Sequence, residues 1–165
     1  MAKTTLTVKV HIDGVREILR AFDVLPKDAQ NAIREHSQAL ARKLAVKAQV
    51  DVSVHGGPQG PNLASTVKAV RDRVPAIQIG GTRRIGRHRA PAYGQLFGAL
   101  FGMNSRSGWF SALKYKSAQG HQYREHRGQD AYAFFPVIER EAATISREWH
   151  AAVDDVVRKF SEGGV

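Results

Sequence analysis

Gln129-Asp130-Ala131-Tyr132-Ala133-Phe134-Phe135-Pro136-Val137-Ile138-Glu139 carries an aromatic cluster through a proline into an amphipathic run that continues toward the C-terminus. Proline donates no backbone hydrogen bond and holds φ near helical values. It therefore suits the first turn of a helix and disfavours helical backbone in the residue before it. The stretch predicts that Tyr132, Phe134 and Phe135 lie in a strand or anchored loop, with a helix opening at Pro136. Beyond it, Ile138, Ala142, Ile145, Trp149, Ala152, Val156 and Phe160 recur at steps of three and four, which is one stripe of a helix. Glu139 and Glu141 near its start and Arg158 and Lys159 near its end complement the helix dipole. Asp154 with Arg158 and Asp155 with Lys159 have the i,i+4 spacing of an exposed, ion-paired face.

Working outward to the N-terminus, Leu6, Val8, Val10 and Ile12 alternate with polar residues, the period of a half-buried strand. Asp13 stands where a helix cap belongs, and Val15, Ile18, Leu19 and Phe22 share one helical face. Pro26 suits the first turn of a longer helix with the stripe Ala29, Ile33, Leu40, Leu44 and Ala48. His36 or Ser37 fills the gap in that stripe, and the helix ends near Val50. Val50, Val52 and Val54 either continue it or begin an extended segment. His55 to Asn62, dense in glycine and proline, reads as a loop. Leu63 to Arg71 and Ala76 to Gly80 then read as a hairpin around Asp72-Arg73-Val74-Pro75, with Ile77 and Ile79 on one face. From Gly81 to Gly128 neither period persists, although a weakly helical run from Pro91 to Phe101 is compatible with the pattern.

These elements predict an α+β fold: a small antiparallel sheet, made of an N-terminal strand plus a central hairpin, packed against a long central helix and a long C-terminal helix. The 165 residues fit one domain with a loop-rich insertion at about 81–130. The chain has no cysteine, so disulfides, thiolate catalysis and cysteine-held zinc do not arise. No signal-peptide pattern or apolar run of membrane-spanning length is present, and the expectation is a cytoplasm-like setting without membrane contact.

Lysine and arginine number 25 against 15 acidic residues, a net charge of +10. Charge alone fits a nucleic acid or an acidic protein surface equally. The densest cluster is Arg83, Arg84, Arg87, His88 and Arg89, which as a loop can clamp phosphates or carboxylates, or simply keep the chain soluble. Further along, Trp109, Phe110, Tyr115 and Tyr123 alternate with basic residues that include Arg124 and Arg127. That mixture serves base stacking or a protein interface, and the missing RNA-binding and helix-turn-helix signatures favour the interface.

Catalytic patterns are not found. Gly80-Gly81-Thr82-Arg83-Arg84-Ile85-Gly86-Arg87 lacks the Lys-Ser/Thr of a phosphate loop, and there is no Gly-x-Ser-x-Gly elbow. His121 and His126 lack one-turn metal spacing and sit among basic residues, so they read as solvated loop histidines. The expectation is no enzyme activity, no catalytic residues, no metal and no cofactor.

The order of parts resembles the head-tail joining, or tail-completion, proteins of siphophages, particularly those of actinobacterial phages. The resemblance rests on Leu25-Pro26 before the long helix, Asn62-Leu63 after the Gly/Pro loop, Ile77-Gln78-Ile79-Gly80, and Phe134-Phe135-Pro136-Val137-Ile138. Two departures stand out: Tyr93-Gly94-Gln95-Leu96-Phe97-Gly98 lacks the acidic residue usual before glycine, and Asn104 to Gly128 is a long insertion. The resemblance implies a non-enzymatic virion protein, assembled in the bacterial host cytoplasm as a homo-oligomeric ring, with six-fold symmetry favoured. Its implied partners are the connector or stopper and the tail terminator or tail-tube proteins, with non-specific DNA contact in the lumen. Tail terminator, head-side connector and sequence-independent nucleic-acid-binding module are the alternatives. Under this reading Arg83, Arg84, Arg87 and Arg89 face DNA or a partner. Tyr93, Phe97, Phe101, Trp109, Phe110, Tyr115 and Tyr123 form assembly contacts, and Tyr132, Phe134, Phe135, Pro136 and Trp149 anchor the last helix.

Overall fold

A computed structural model describes residues 4–103 and 123–162. The chain runs β1 (Thr5–Lys9), α1 (Val15–Phe22), α2 (Lys27–His55), a 3₁₀ turn (Gly57–Gln59) and α3 (Gly60–Ala64). It continues through β2 (Lys68–Val70), β3 (Ala76–Gly80), β4 (Arg84–Ile85), β5 (Ala90–Pro91), α4 (Ala92–Phe101) and α5 (Phe135–Glu162). It is an α+β fold. The main sheet is antiparallel in the order β1-β3-β2, with Leu6 opposite Ile79 and Ala69 opposite Ile77. The central strand β3 is the apolar one: Ala76, Ile77 and Ile79 are fully buried, as its middle position requires.

Helix α2 is the shared support. Its inner face presents Ala29, Ile33, Leu40, Leu44, Ala48 and Val52, all buried, to the sheet, α3 and α5. Ser37, not His36, fills the gap in this stripe. Its hydroxyl donates to Arg73 O at 2.7 Å and accepts from Trp149 Nε1–H at 2.9 Å, so a small polar residue is tolerated there because both capacities are used. The cross-links between α2 and the chain around α5 run in opposite sequence directions: Ser37 to Trp149, Lys43 to Glu148, Lys47 to Glu141 and Asp51 to Phe134. The two helices are therefore antiparallel, with exposed ion pairs at the margins of an apolar seam.

Several local expectations are corrected. Asp13 does not cap α1; Gly14 is the N-cap at φ 68°, and Asp13 is solvent-exposed with its Oδ1 3.3 Å from His11 Nε2. Pro26 is the N-cap of α2 and not part of its first turn. Helix α2 continues past Val50 to His55, so Val50, Val52 and Val54 are helical. The Gly/Pro stretch is not a loop. Gly56 and Gly60 both pack against the Val52 carbonyl at a separation that leaves no room for a Cβ, so the glycines there turn the chain tightly from α2 into α3. The first arm of the hairpin shrinks accordingly. Leu63 belongs to α3, and Thr66 bonds back to Leu63 O through both its amide and its hydroxyl, which leaves only Lys68–Val70 extended.

The lead-in to α5 also departs from the proline argument. The helix begins at Phe135, one residue before Pro136, and the chain turns at Phe134 through φ 73°, a conformation that costs a non-glycine residue about 1–2 kcal/mol. Two features hold it. Phe134 is fully buried, and its amide donates to Asp51 Oδ2 at 2.8 Å, while Asp51 Oδ1 lies 2.9 Å from His55 Nδ1. Asp51→Ala is expected to destabilise the protein by about 1–3 kcal/mol in urea unfolding, because it orphans the Phe134 amide. Asp154→Ala, exposed and unpaired among the described residues, should stay within about 0.5 kcal/mol. Equal effects of the two substitutions would refute this role for Asp51.

Along α5, Ile138, Ile145, Trp149 and Val156 are buried as the stripe requires, joined by Val137 and Val153; Phe160 is instead 38% exposed. Arg158 pairs with Asp155 at 2.6 Å and not with Asp154, and Lys159 reaches the other oxygen of Asp155 at 2.7 Å. These two cations hold the Asp155 carboxyl below its usual range. In the hairpin turn burial pushes the Asp72 carboxyl up, but the Lys9 ammonium at 2.6 Å and the Arg73 amide outweigh it and leave the group below its usual value.

Candidate functional site

The stretch with no clear period contains two ordered units. Arg84–Ile85 and Ala90–Pro91 pair antiparallel as a small hairpin, and Ala92–Phe101 follows directly as α4. Ile85 is the hairpin's buried side chain; Gly86 at φ 71° and Arg89 at φ 53° turn the chain at its tip. The structure separates the basic residues into two kinds. Arg83 donates to Ser65 O at 3.1 Å and Arg84 to Arg89 O at 2.9 Å, so both are tied to their own chain while remaining exposed. Arg87, His88 and Arg89 are exposed, with no side-chain partner among the described residues.

Helix α4 buries Ala92, Gln95, Leu96, Ala99 and Leu100 and shows a row of aromatics at i, i+4 and i+8 on its other side. Tyr93 is 46% and Phe97 61% exposed. Phe97 stacks on Phe101 at 6.3 Å between ring centroids, Phe101 meets Phe135 at 5.6 Å, and Phe135 meets buried Phe134 at 5.5 Å. One aromatic ladder thus climbs from the core onto the surface. Beside it opens a pocket of about 290 Å³ lined by the apolar Phe101, Ala131, Phe135 and Pro136 and by the polar Gln129, Asp130 and Glu139. The basic hairpin precedes the N-terminus of α4 and this pocket adjoins its C-terminus. The ten residues between them give a separation of about 15 Å along the helix axis.

Tyr123 does not belong to this surface. It is 3% exposed, and its ring lies so close to Gly98 that a Cβ there would stand 2.6 Å from Tyr123 Cε1. Trp109, Phe110, Tyr115 and His121 lie outside the described residues. Tyr132 is half-buried and bonds through its hydroxyl to Glu125 O at 2.8 Å and through its amide to Leu100 O at 2.7 Å. Of the expected anchors, Phe134 and Trp149 are core, Phe135 joins core to surface, and Pro136 is exposed.

A feature missed from the sequence is the pair Arg124 and Arg127. Their guanidinium carbons stand 3.7 and 4.8 Å from the centroid of the Tyr132 ring, within cation–π range. Burial pulls Arg124 below the usual arginine value. The Tyr132 side chain opposes that shift, and the charge of Arg127 adds to it. The alternation of basic and aromatic residues was visible in the sequence, but the ring that both arginines share is Tyr132 and not the adjacent Tyr123.

Among the described residues no group of three or more histidine, aspartate or glutamate side chains could hold a metal ion, and no helix is long and apolar enough to cross a membrane. The fold and surface thus define an α+β protein with an aromatic ladder and a basic hairpin at opposite parts of one short helix. No family model matches the chain, and no curated protein or solved structure matches it.

Proposed function

We propose that this chain is a structural protein of a tailed-phage virion, a head-tail joining or tail-completion protein that forms a homo-oligomeric ring at the neck and lets DNA pass. The observation that carries the reading is the aromatic ladder. Phe97 and Tyr93 expose large apolar surface on a helix whose other face is locked in the core, and the ladder continues unbroken to Phe134. Exposed aromatics on a rigid support are what protein interfaces enrich, and an apolar row of this kind is stabilised by burial against another chain.

The polarity of α4 suits the head-to-tail contact that a ring requires. A basic tip formed by Arg87 and Arg89, without side-chain partners among the described residues, lies at one end, and a pocket lined by aromatic rings and the side chains of Asp130 and Glu139 lies at the other. Different surfaces on one chain that complement each other can join head to tail, and such contacts form a ring when the rotation between neighbours closes. Six-fold closure, neighbours among connector, stopper, terminator or tube proteins, and a place in the virion follow from the family resemblance. The tail terminator and head-side connector roles use the same contacts.

The purified protein is expected to form closed rings at high concentration, read by light scattering and electron microscopy. Phe97→Asp should convert them to folded monomers with unchanged circular dichroism, since Phe97 contributes little to the protomer core. A wild-type protein that remains monomeric and never enters particles would overturn the ring. A second reading, a sequence-independent nucleic-acid-binding module, is favoured by Arg87 and Arg89, which are exposed and have no side-chain partner among the described residues. Under it, Arg87→Gln with Arg89→Gln lowers DNA affinity and reduces its salt dependence.

A further inference from the structure

We infer that Arg124 and Arg127, gathered over the Tyr132 ring, form a receptor for a phosphate oxyanion. This site uses neither the exposed arginines of the basic hairpin nor ring formation. Arg124 is half-buried, and its Nη2 is fully buried with no hydrogen-bond partner. No carboxylate pairs with either guanidinium among the described residues. A guanidinium cannot relieve such a position by losing its proton, and a buried charged donor without an acceptor is among the more expensive defects a fold can hold. An orphaned buried donor of this kind calls for an acceptor, and an oxyanion bound at the guanidinium would supply one.

The surroundings hold the two cations in place. Tyr132 is fixed by its hydroxyl bond to Glu125 O and its amide bond to Leu100 O, at 2.8 and 2.7 Å. The backbone of Arg124 is fixed by accepting from the Met103 amide at 2.8 Å. On its other side Arg124 Nε lies against Gly57, at 3.1 Å from where a Cβ would stand, so this glycine leaves the guanidinium its room. Two like charges held against one ring repel each other, and an anion bonded to both would offset that repulsion while supplying acceptors.

The donor set selects phosphate over carboxylate. A planar carboxylate is satisfied by the fork of a single guanidinium. Two guanidiniums supply donors from two separate forks and a charge of two, which suits a tetrahedral phosphate, either a phosphodiester with its single negative charge and two non-bridging oxygens or inorganic phosphate with more of both. Its source is either a nucleic-acid backbone or free inorganic phosphate.

The test uses the full chain. Thermal unfolding is followed as inorganic phosphate is titrated against sodium chloride at matched ionic strength. Wild type and the double variant R87Q/R89Q should show a saturable rise in Tm, and R124Q and R127Q should lose it. Arg127 is exposed, so R127Q keeps the test valid if R124Q does not fold. An equal rise in R127Q, or no saturable rise in wild type, overturns the site. Anisotropy with a short DNA duplex at low salt then separates the sources. A loss of about tenfold in affinity for R127Q, the scale of a lost charge-assisted hydrogen bond, assigns a backbone phosphate. Unchanged DNA affinity with the phosphate response abolished assigns free phosphate. Ring assembly by R127Q is scored separately, so a failure of the oxyanion site leaves the ring standing, and the reverse.

Discussion

Trp149→Ala is expected to remove about 3–5 kcal/mol of stability, enough to unfold a domain of ordinary stability at moderate temperature. Trp149 is 1% exposed, stands edge-on to Phe22 at 6.3 Å, and donates its indole N–H to Ser37 Oγ at 2.9 Å and to Arg73 O at 3.2 Å. It is the point where α5, α2, the end of α1 and the β2–β3 turn meet. Truncation removes the largest buried side chain and leaves a cavity that three elements would have to collapse to fill. Trp149→Phe separates the contributions: it keeps most of the volume and loses the N–H, and should cost about 1–2 kcal/mol, because Ser37 still donates to Arg73 O. Urea unfolding of both variants checks the order, and an alanine variant within 1 kcal/mol of wild type would show that Trp149 is not the keystone its contacts imply.

Gly102→Ala should cost about 3 kcal/mol or more, with the damage concentrated where residues 123–126 return to α4. Gly102 ends α4 at φ 76° and ψ −179°, a region that is essentially glycine-only. A Cβ there would overlap the carbonyl of Glu125 and stand 2.6 Å from Arg124 O. These are backbone atoms held in the exchange of bonds between Met103 N–H and Arg124 O and between His126 N–H and Met103 O, so they cannot swing aside as a side chain would. Hydrogen exchange should show the Met103 and His126 amides losing protection first, ahead of the α2–α5 seam. Uniform loss across the protein would falsify this local assignment. The same substitution would displace Arg124, and its phosphate response should fall with that of R124Q.

The elements that repeat a period over many residues were legible in the chain. The stripe Ala29, Ile33, Leu40, Leu44, Ala48 and the stripe Ile138, Ile145, Trp149, Val156 both face the core, and strand alternation located β1. Short elements were not legible, because two or three residues carry no period. The hairpin of Arg84–Ile85 with Ala90–Pro91 is defined by pairing with a partner strand, and only Ile85 is buried. At the site, Tyr93, Phe97 and Phe101 were identified as a group, whereas Tyr123 was grouped with them although it is core. An aromatic beside glycines gives no sign of which side faces solvent. Asp51 carried no local sign of its bond to the Phe134 amide, eighty-three residues away; its spacing from His55 is all that is local.

Periodicity and composition are sufficient for the α+β class, the two long helices, the central strand pair and the excess of positive charge, because each follows from local spacing or from counting. Only the packed chain decides that Phe134 turns through a left-handed conformation, that α2 runs on to His55, that Arg83 and Arg84 are tied down while Arg87 is not, and that Arg124 and Arg127 share one ring. Arg84 to Arg89 O and Arg127 to Tyr132 each span five residues and follow from how the chain turns, whereas the Phe134 turn rests on Asp51 and the Arg83 tie on Ser65, contacts between residues distant in sequence. Such contacts override local preference because the burial and hydrogen bonds they supply outweigh the one or two kcal/mol that the preference is worth.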